Sequence, residues 1–383
     1  VPFNRSFRVY AWRRGGVAAV TVGLAGLASL LAAEPASAHV KWFFQSEATG
    51  NLRWDLFFEP LPLAFVGAVL LATLAAAVLW RRRGRSFVPG PEALGATGER
   101  RSLLYGLVPL ILGIHVAVPL LVNGVQGRLF SPDNVMPGVW GNFLGLAEAG
   151  VALSLFYGGL TRPAAVVLAG LWTGGVFLLG LEPMLDNVMF LGFAAFFFFV
   201  GRGPISIDRL LFPKLEPPAR LAPYAIPAAR IGVGLSLAVV AFTEKFANLP
   251  LATGFLQDSG LNFLPYLGIP VSDEVFAMLA GSVELVVGLW LVLGVFVREI
   301  VILAWFPVNL TLTLFQWEEL IGHLPVYGVM AVLLVWGTGP DNASLWLKGV
   351  RERLIPVKPG PSGDPGVAGG AEETGVVAPP TRG

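Results

Sequence analysis

The sequence has no cysteine among its 383 residues. Disulfide exchange, thiolate metal sites and cysteine-held iron–sulfur clusters are therefore excluded. Histidine is nearly as scarce, with only His39, His115 and His323. Charge is sparse too: 13% of residues are Asp, Glu, Lys or Arg, against roughly 25% in a soluble domain. The formal net charge is +1, which gives no electrostatic case for a nucleic-acid partner. What fills the chain instead is apolar. Hydrophobic residues make up 55%, and mean hydropathy is +0.70. Long apolar runs recur, and about 20 such residues cross a bilayer as a helix. The expected fold is all-α: a polytopic transmembrane helical bundle whose first partner is the lipid bilayer.

Residues 1–38 read as a signal peptide. Arg5, Arg8, Arg13 and Arg14 form a basic front, Val17 to Ala33 an apolar core, and Ala36-Ser37-Ala38 a small-residue cleavage site. An uncleaved anchor helix is the alternative. Residues 39–60 form an aromatic-rich extracytoplasmic segment. Residues 61–101 hold a first transmembrane helix, ending in Arg81, Arg82, Arg83 and Arg85, and a polar loop. Eight further spans are expected over residues 102–340, near 102–123, 139–160, 164–181, 188–200, 222–242, 275–298, 300–316 and 324–336. The segment from Thr243 to Glu274 has spaced Phe, Leu and Tyr residues, suited to a membrane surface or to capping the bundle. Residues 341–383 read as a cytoplasmic tail, disordered where proline and glycine dominate.

Charge placement sets an orientation. Arg81, Arg82, Arg83, Arg85, Arg100, Arg101, Arg162, Arg202, Arg209, Lys214, Arg220 and Arg298 all fall on one side of this topology. Only Lys41, Arg53, Arg128 and Lys245 fall on the other. The positive-inside rule makes the first side cytoplasmic, which implies a multi-pass protein of a bacterial plasma membrane with its mature N-terminus outside.

Two of the apolar runs carry a carboxylate near the middle, Glu148 in Gly141–Arg162 and Glu284 in Val275–Arg298. A charge at that depth is costly and normally faces protein or a wet cavity. A shift of 136 residues carries Glu148 onto Glu284, Gly158 onto Gly294, Arg162 onto Arg298, Glu182 onto Glu318 and Gly192 onto Gly328. Gly201, Gly203 and Pro204 fall on Gly337, Gly339 and Pro340. Polar and glycine landmarks at constant spacing indicate two copies of one four-helix unit, at residues 102–221 and 222–340. Four spans per unit place the copies in the same direction, about an axis along the membrane normal.

From Arg230 to Pro340 the pattern resembles the DoxX family of four-helix membrane proteins. The carrying residues are Phe242-Thr243-Glu244-Lys245-Phe246-Ala247-Asn248, then Gly281-Ser282-Val283-Glu284-Leu285, Gly288, Gly294 and Arg298. Gly145-Leu146-Ala147-Glu148 gives the front half the look of a diverged second copy without a Glu244–Lys245 equivalent. The resemblance implies a redox-associated membrane subunit, linked to quinone or to an electron-transfer partner in the membrane. It supplies no catalytic residues.

Two sets of candidate residues follow. Glu148, Glu284, Arg230, Glu244 and Lys245 are candidates for a proton, cation or polar-ligand pathway, with Arg230 a possible ionic partner for the acids. The bland alternative is a pair of carboxylates that fix helix packing, with Arg230 snorkelling to the interface. His39, His115 and His323 are candidate metal ligands towards the outer side, with Glu182, Glu318 or Glu319 near them in the topology. Cleavage after Ala38 would make His39 N-terminal, and an amine with its own imidazole suits copper. Three unrelated histidines are the alternative. The open functions are thus a redox-linked subunit, a proton- or cation-coupled transporter, and a non-catalytic scaffold with an external metal site.

Overall fold

A computed structural model describes residues 40–44, 52–214, 218 and 220–338 of the chain. The expected signal peptide, His39, residues 45–51 of the aromatic segment, and the tail lie outside the described residues. Two short helices come first, α1 (Val40–Phe43) and α2 (Trp54–Phe57). The long helix α3 (Pro60–Arg83) follows, with proline in its first turn and Gly84 in the left-handed conformation that stops it. Then come α4 (Gly98–Tyr105), α5 (Val108–Val125), α6 (Val139–Tyr157), α7 (Thr161–Leu179), α8 (Leu181–Asp186), α9 (Met189–Val200) and α10 (Ile207–Leu211). The second half holds α11 (Ala225–Ala241), a π-helical turn at Phe242–Phe246, α12 (Leu249–Ser259), α13 (Asp273–Leu293) and α14 (Val297–Trp336).

Local chemistry explains several boundaries. Ser272 caps α13 through the Val275 N–H, and Asp273 and Glu274 sit in its positive first turn. Asn248 caps α12 through the Leu251 N–H at 3.3 Å. Seven helical stretches are long and apolar enough to cross a membrane: Pro60–Arg83, Gly98–Val125, Val139–Tyr157, Thr161–Leu179, Ala222–Phe246, Asp273–Leu293 and Trp317–Trp336. The chain is an all-α polytopic bundle.

Two of the nine expected spans, the fifth and the eighth, fall outside these seven stretches. The fifth expected span is α9, with 12 residues, or about 18 Å of helix. It is short because it is packed in protein, with Phe190, Phe193, Phe196 and Phe197 all buried. The eighth and ninth expected spans both lie on α14, which is helical in local backbone over its 40 residues. It is not straight: the Arg298 guanidinium donates to the Leu334 and Val335 carbonyls, and Tyr327 donates to the Val308 carbonyl. A straight helix would separate residues 298 and 334 by about 54 Å. The chain must double back between these contacts, giving two antiparallel arms.

Packing is by close approach of small residues. α5 lies on α6 and α11 on α13, and each pair meets at glycine. A Cβ on Gly124 would stand 2.7 Å from the Gly145 carbonyl, and one on Gly234 2.7 Å from the Gly288 carbonyl. Small residues let helix backbones approach where lipid leaves no hydrophobic drive between helices. Cross-pairing joins the halves: α9 packs on α11, with Gly192 against Gly232, and α14 packs on α5, with Gly328 against His115. α3 leans on α13 from outside, with Val69 buried and Leu71 and Leu74 exposed on its far side. α12 caps one end, sharing a core of Val40, Leu251, Phe255 and Phe276 with α1 and α13.

Helix ends repeat at a fixed interval. α6 ends at Tyr157 and α13 at Leu293, and α7 begins at Thr161 and α14 at Val297. Gly158 and Gly294 close α6 and α13 with φ of 72° and 71°. Leu160 and Phe296 carry positive φ of 55° and 44°, rare for such side chains. α9 ends at Val200 and α14 at Trp336, followed by Gly201 and Gly337 with φ of 64° and 58°.

Candidate functional site at the Lys41 end

Two ends of the bundle differ in charge. Arg81–Arg83 and Arg298 are at one end, where Trp80 and Phe87 pack on Phe296. The opposite end holds a buried ionic seam made by three parts of the chain. α8 supplies Glu182 and Asp186. The π-helical turn supplies Thr243, Glu244 and Lys245, and α13 supplies Glu284. The segment Val40–Phe44 lies across them.

Lys41 is 4% exposed. Its ammonium pairs with Glu182 and, at 2.7 Å, with Asp186. The backbone N–H of the preceding residue, Val40, donates to Glu244 Oε2 at 2.6 Å. Thr243 donates to the second Asp186 oxygen at 2.9 Å, and the Ser236 hydroxyl donates to the Asp186 carbonyl. Lys245 Nζ stands 2.9 Å from Glu284 and 3.6 Å from Glu244. Glu182 and Glu284 have side chains 23% and 14% exposed, while those of Asp186, Glu244 and Lys245 are nearly closed off.

The π-helical turn explains how adjacent residues serve one site. In an α-helix, neighbours point about 100° apart. Inserting a wider turn, as π-bulges commonly do at functional positions, lets both Glu244 and Lys245 be buried in the seam. Two aromatics fix the segment from the other side. Trp42 lies 5.4 Å from the His323 ring and fills the space above Gly322. Phe44 packs on Phe255 and against Gly254.

Among the described residues, two ammonium groups thus meet four carboxylates. Burial pushes the Asp186 carboxyl up to about 6, because Glu244 and Glu182 add to the cost of ionising it and Lys41 only partly offsets this. Burial alone would lower the Lys41 ammonium, but Asp186, Glu244 and Glu182 outweigh it and hold the group above its usual value. Asp133, on the loop between α5 and α6, is raised as well, by burial and by the Glu244 charge. A seam with surplus negative charge and a carboxyl titrating near 6 is chemically fit to take up a proton or a small cation.

The candidate residues from the sequence fall into separate places. Glu244, Lys245 and Glu284 come together in the seam. Glu148 does not join them: it is fully buried, and its Oε1 accepts the Phe130 N–H at 3.0 Å. Asn123 takes the Phe130 carbonyl at 3.0 Å. So Glu148 and Asn123 hold the loop after α5, and Glu148 has no arginine or lysine as an ion-pair partner among the described residues. Arg230 pairs with neither acid; it donates to the Leu291 and Val292 carbonyls at the end of α13.

The metal trio is not assembled. His115 bonds to the Ile111 carbonyl of its own helix at 2.8 Å. His323 faces Glu319 at 3.5 Å and Trp42, and His39 lies outside the described residues. Among the described residues, no three His, Asp or Glu side chains converge as metal ligands.

Periodicity and motif reading missed Lys41, Asp186 and Thr243 as site residues. The available signal was the rarity of Lys on the outer side, which marks Lys41 as unusual. Against known proteins, the chain matches no family model, no curated protein and no solved structure.

Proposed function

We propose that this is a DoxX-like membrane protein of two four-helix repeats, and that its buried ionic seam takes up and releases a proton or small cation from the Lys41 face. That face is the extracytoplasmic one if the arginine-bearing end is cytoplasmic. The repeat reading is supported by the recurrence of helix ends and of the three positive-φ pairs at an interval of 136 residues. It is further supported by matched side-chain anchors. Asn187 bonds back to the Pro183 carbonyl at 3.0 Å, and His323 faces the Glu319 carbonyl at 3.0 Å.

The observation that carries the functional reading is the seam itself, where charges from both halves and from the Lys41 segment are buried together. Polar groups run inward from Glu182 to Glu284, 11 residues into α13 and so about 16 Å deep. Beyond Glu284 the same helix buries Val287, Gly288 and Leu291. Access from one face favours reversible loading over conduction through the bundle. The test is proton uptake by purified protein in detergent, together with cation and proton flux in proteoliposomes. Loss of one bound proton in Glu284→Gln or Asp186→Asn, without transmembrane flux in the wild type, supports the reading. Unchanged uptake in both variants overturns it, and flux that depends on Glu284 replaces it with a transporter.

One contact favours a second reading, an external copper site. Val40, the residue after His39 in sequence, is held on Glu244, and cleavage after Ala38 would make His39 the N-terminal residue. N-terminal sequencing combined with copper titration decides it: a mature chain that does not begin at His39 removes the chelate. The redox-linked reading rests on the DoxX resemblance, and retention of a quinone by purified protein is its test.

A further inference from the structure

The arginine-bearing end has a charge problem of the opposite sign. Arg202 is 2% exposed. Its Nε and Nη2 donate to the Leu155 and Phe156 carbonyls at 2.6 and 3.0 Å, closing the last turn of α6. Its Nη1 is buried without a hydrogen-bond partner, and no carboxylate of the described residues pairs with it. Two more guanidiniums stand at this corner, where the Asp208 N–H bonds to the Gly158 carbonyl. Arg209 spends Nη1 on the Pro213 carbonyl and leaves Nε without a partner, and Arg162 leaves Nη2 without one. Among the described residues, Asp208 is an acid at this corner, and its two oxygens accept the Leu160 and Thr161 N–H groups at 2.6 and 2.9 Å. Asp208 offsets part of the charge on Arg162, but the buried Nη1 of Arg202 has no partner, and an unpaired buried charge is costly, so an anion suits this position.

A groove of about 540 Å³ has Arg202 in its wall, with Leu110, Phe156, Tyr157, Ser206 and Leu210. Phe156 and Tyr157 also border a second, mostly apolar groove of about 260 Å³ that runs between α5 and α6 past Ala117, Leu121 and Ala152. The two grooves share the Phe156–Tyr157 wall, and the first is cationic at the level where α6 stops. The other climbs the outside of two spanning helices, where lipid chains are the solvent. A soluble anion has no use for the second groove, and a neutral hydrocarbon none for the arginines.

We propose that the two grooves form a binding site for one anionic phospholipid, with its phosphate at the Arg202–Arg209 corner and an acyl chain along the α5–α6 groove. Tyr157 and Ser206, at the junction, would shift to let the headgroup oxygens reach the guanidinium. The site is separate from the Lys41 seam, and its failure would leave the proposed function untouched.

The test uses the full-length protein, delipidated in detergent and reloaded with phosphatidylglycerol or phosphatidylcholine, and bound lipid counted by native mass spectrometry. The expected result is one phosphatidylglycerol retained per chain, with at least tenfold preference over phosphatidylcholine. Arg202→Gln should lose that preference. Because Arg202 also closes α6, two other variants guard the test. Arg209→Gln should weaken retention several-fold, and Leu121→Trp, which fills the chain groove and leaves the arginines in place, should abolish it. Equal retention of both lipids, unchanged retention in Leu121→Trp and Arg209→Gln, or equal protection by inorganic phosphate alone would overturn the proposal.

Discussion

Asp186 offers the sharpest test of the seam. Its carboxyl sits between Lys41 and Thr243, and a simple view would make it a stabilising salt-bridge partner ionised far below neutral pH. Burial, reinforced by the Glu244 and Glu182 charges, argues otherwise. The group moves from 3.8 to about 6, a change worth roughly 3 kcal/mol at 1.36 kcal/mol per unit. The sign follows from linkage. A carboxyl raised on folding favours the protonated folded state, so its contribution is fully present below the unfolded value and is lost as pH rises through about 6. Wild-type protein should therefore lose stability relative to Asp186→Asn between about pH 4 and pH 7, by up to about 3 kcal/mol. Thermal unfolding of both proteins in the same detergent across that range measures the difference directly. Infrared difference spectra should show a protonated carboxylic band that fades with a midpoint near pH 6 and is missing from the variant. If wild type instead gains stability over the variant as pH rises, Asp186 is an ordinary lowered ion-pair partner and the surplus-charge reasoning is wrong.

Other expectations follow from the same contacts. Lys41→Met removes the ammonium from Glu182 and Asp186 and should cost about 3–5 kcal/mol, the usual penalty for breaking a buried pair; a melting temperature within a degree of wild type would contradict the seam. Gly124→Ala and Gly234→Ala each drive a methyl to within 2.7 Å of a facing backbone carbonyl. Each should destabilise by about 1–3 kcal/mol through forced helix separation, whereas Gly170→Ala, with nothing within 4 Å, should be neutral in the same chemical-denaturation assay. Asn123→Ala should release the Phe130 carbonyl and expose the loop after α5 to faster hydrogen exchange, with the rest of the bundle unchanged. Equal exchange rates there would mean that Glu148 alone holds the loop.

Much was written in the sequence. Runs of apolar residues set the membrane class and most helix positions, because spanning the lipid core needs a fixed length of apolar helix. Glycine marked where α6 and α13 stop, because Gly158 and Gly294 adopt the left-handed conformation at no steric cost. That both acids face protein rather than lipid was legible too, from the cost of charge at depth.

What they touch was not. Lys41 meets Glu182 across 141 residues, and no periodicity encodes a contact of that range. Glu148 and Glu284 occupy matching places in sequence, yet one holds a backbone N–H and the other an ammonium. The difference arises because the loop after α5 folds in over Glu148, whereas a wide helical turn brings Lys245 to Glu284. Local propensity decided which segments became helices, and the assembly of the halves under the Val40–Phe44 segment decided which charges had to share one dry space.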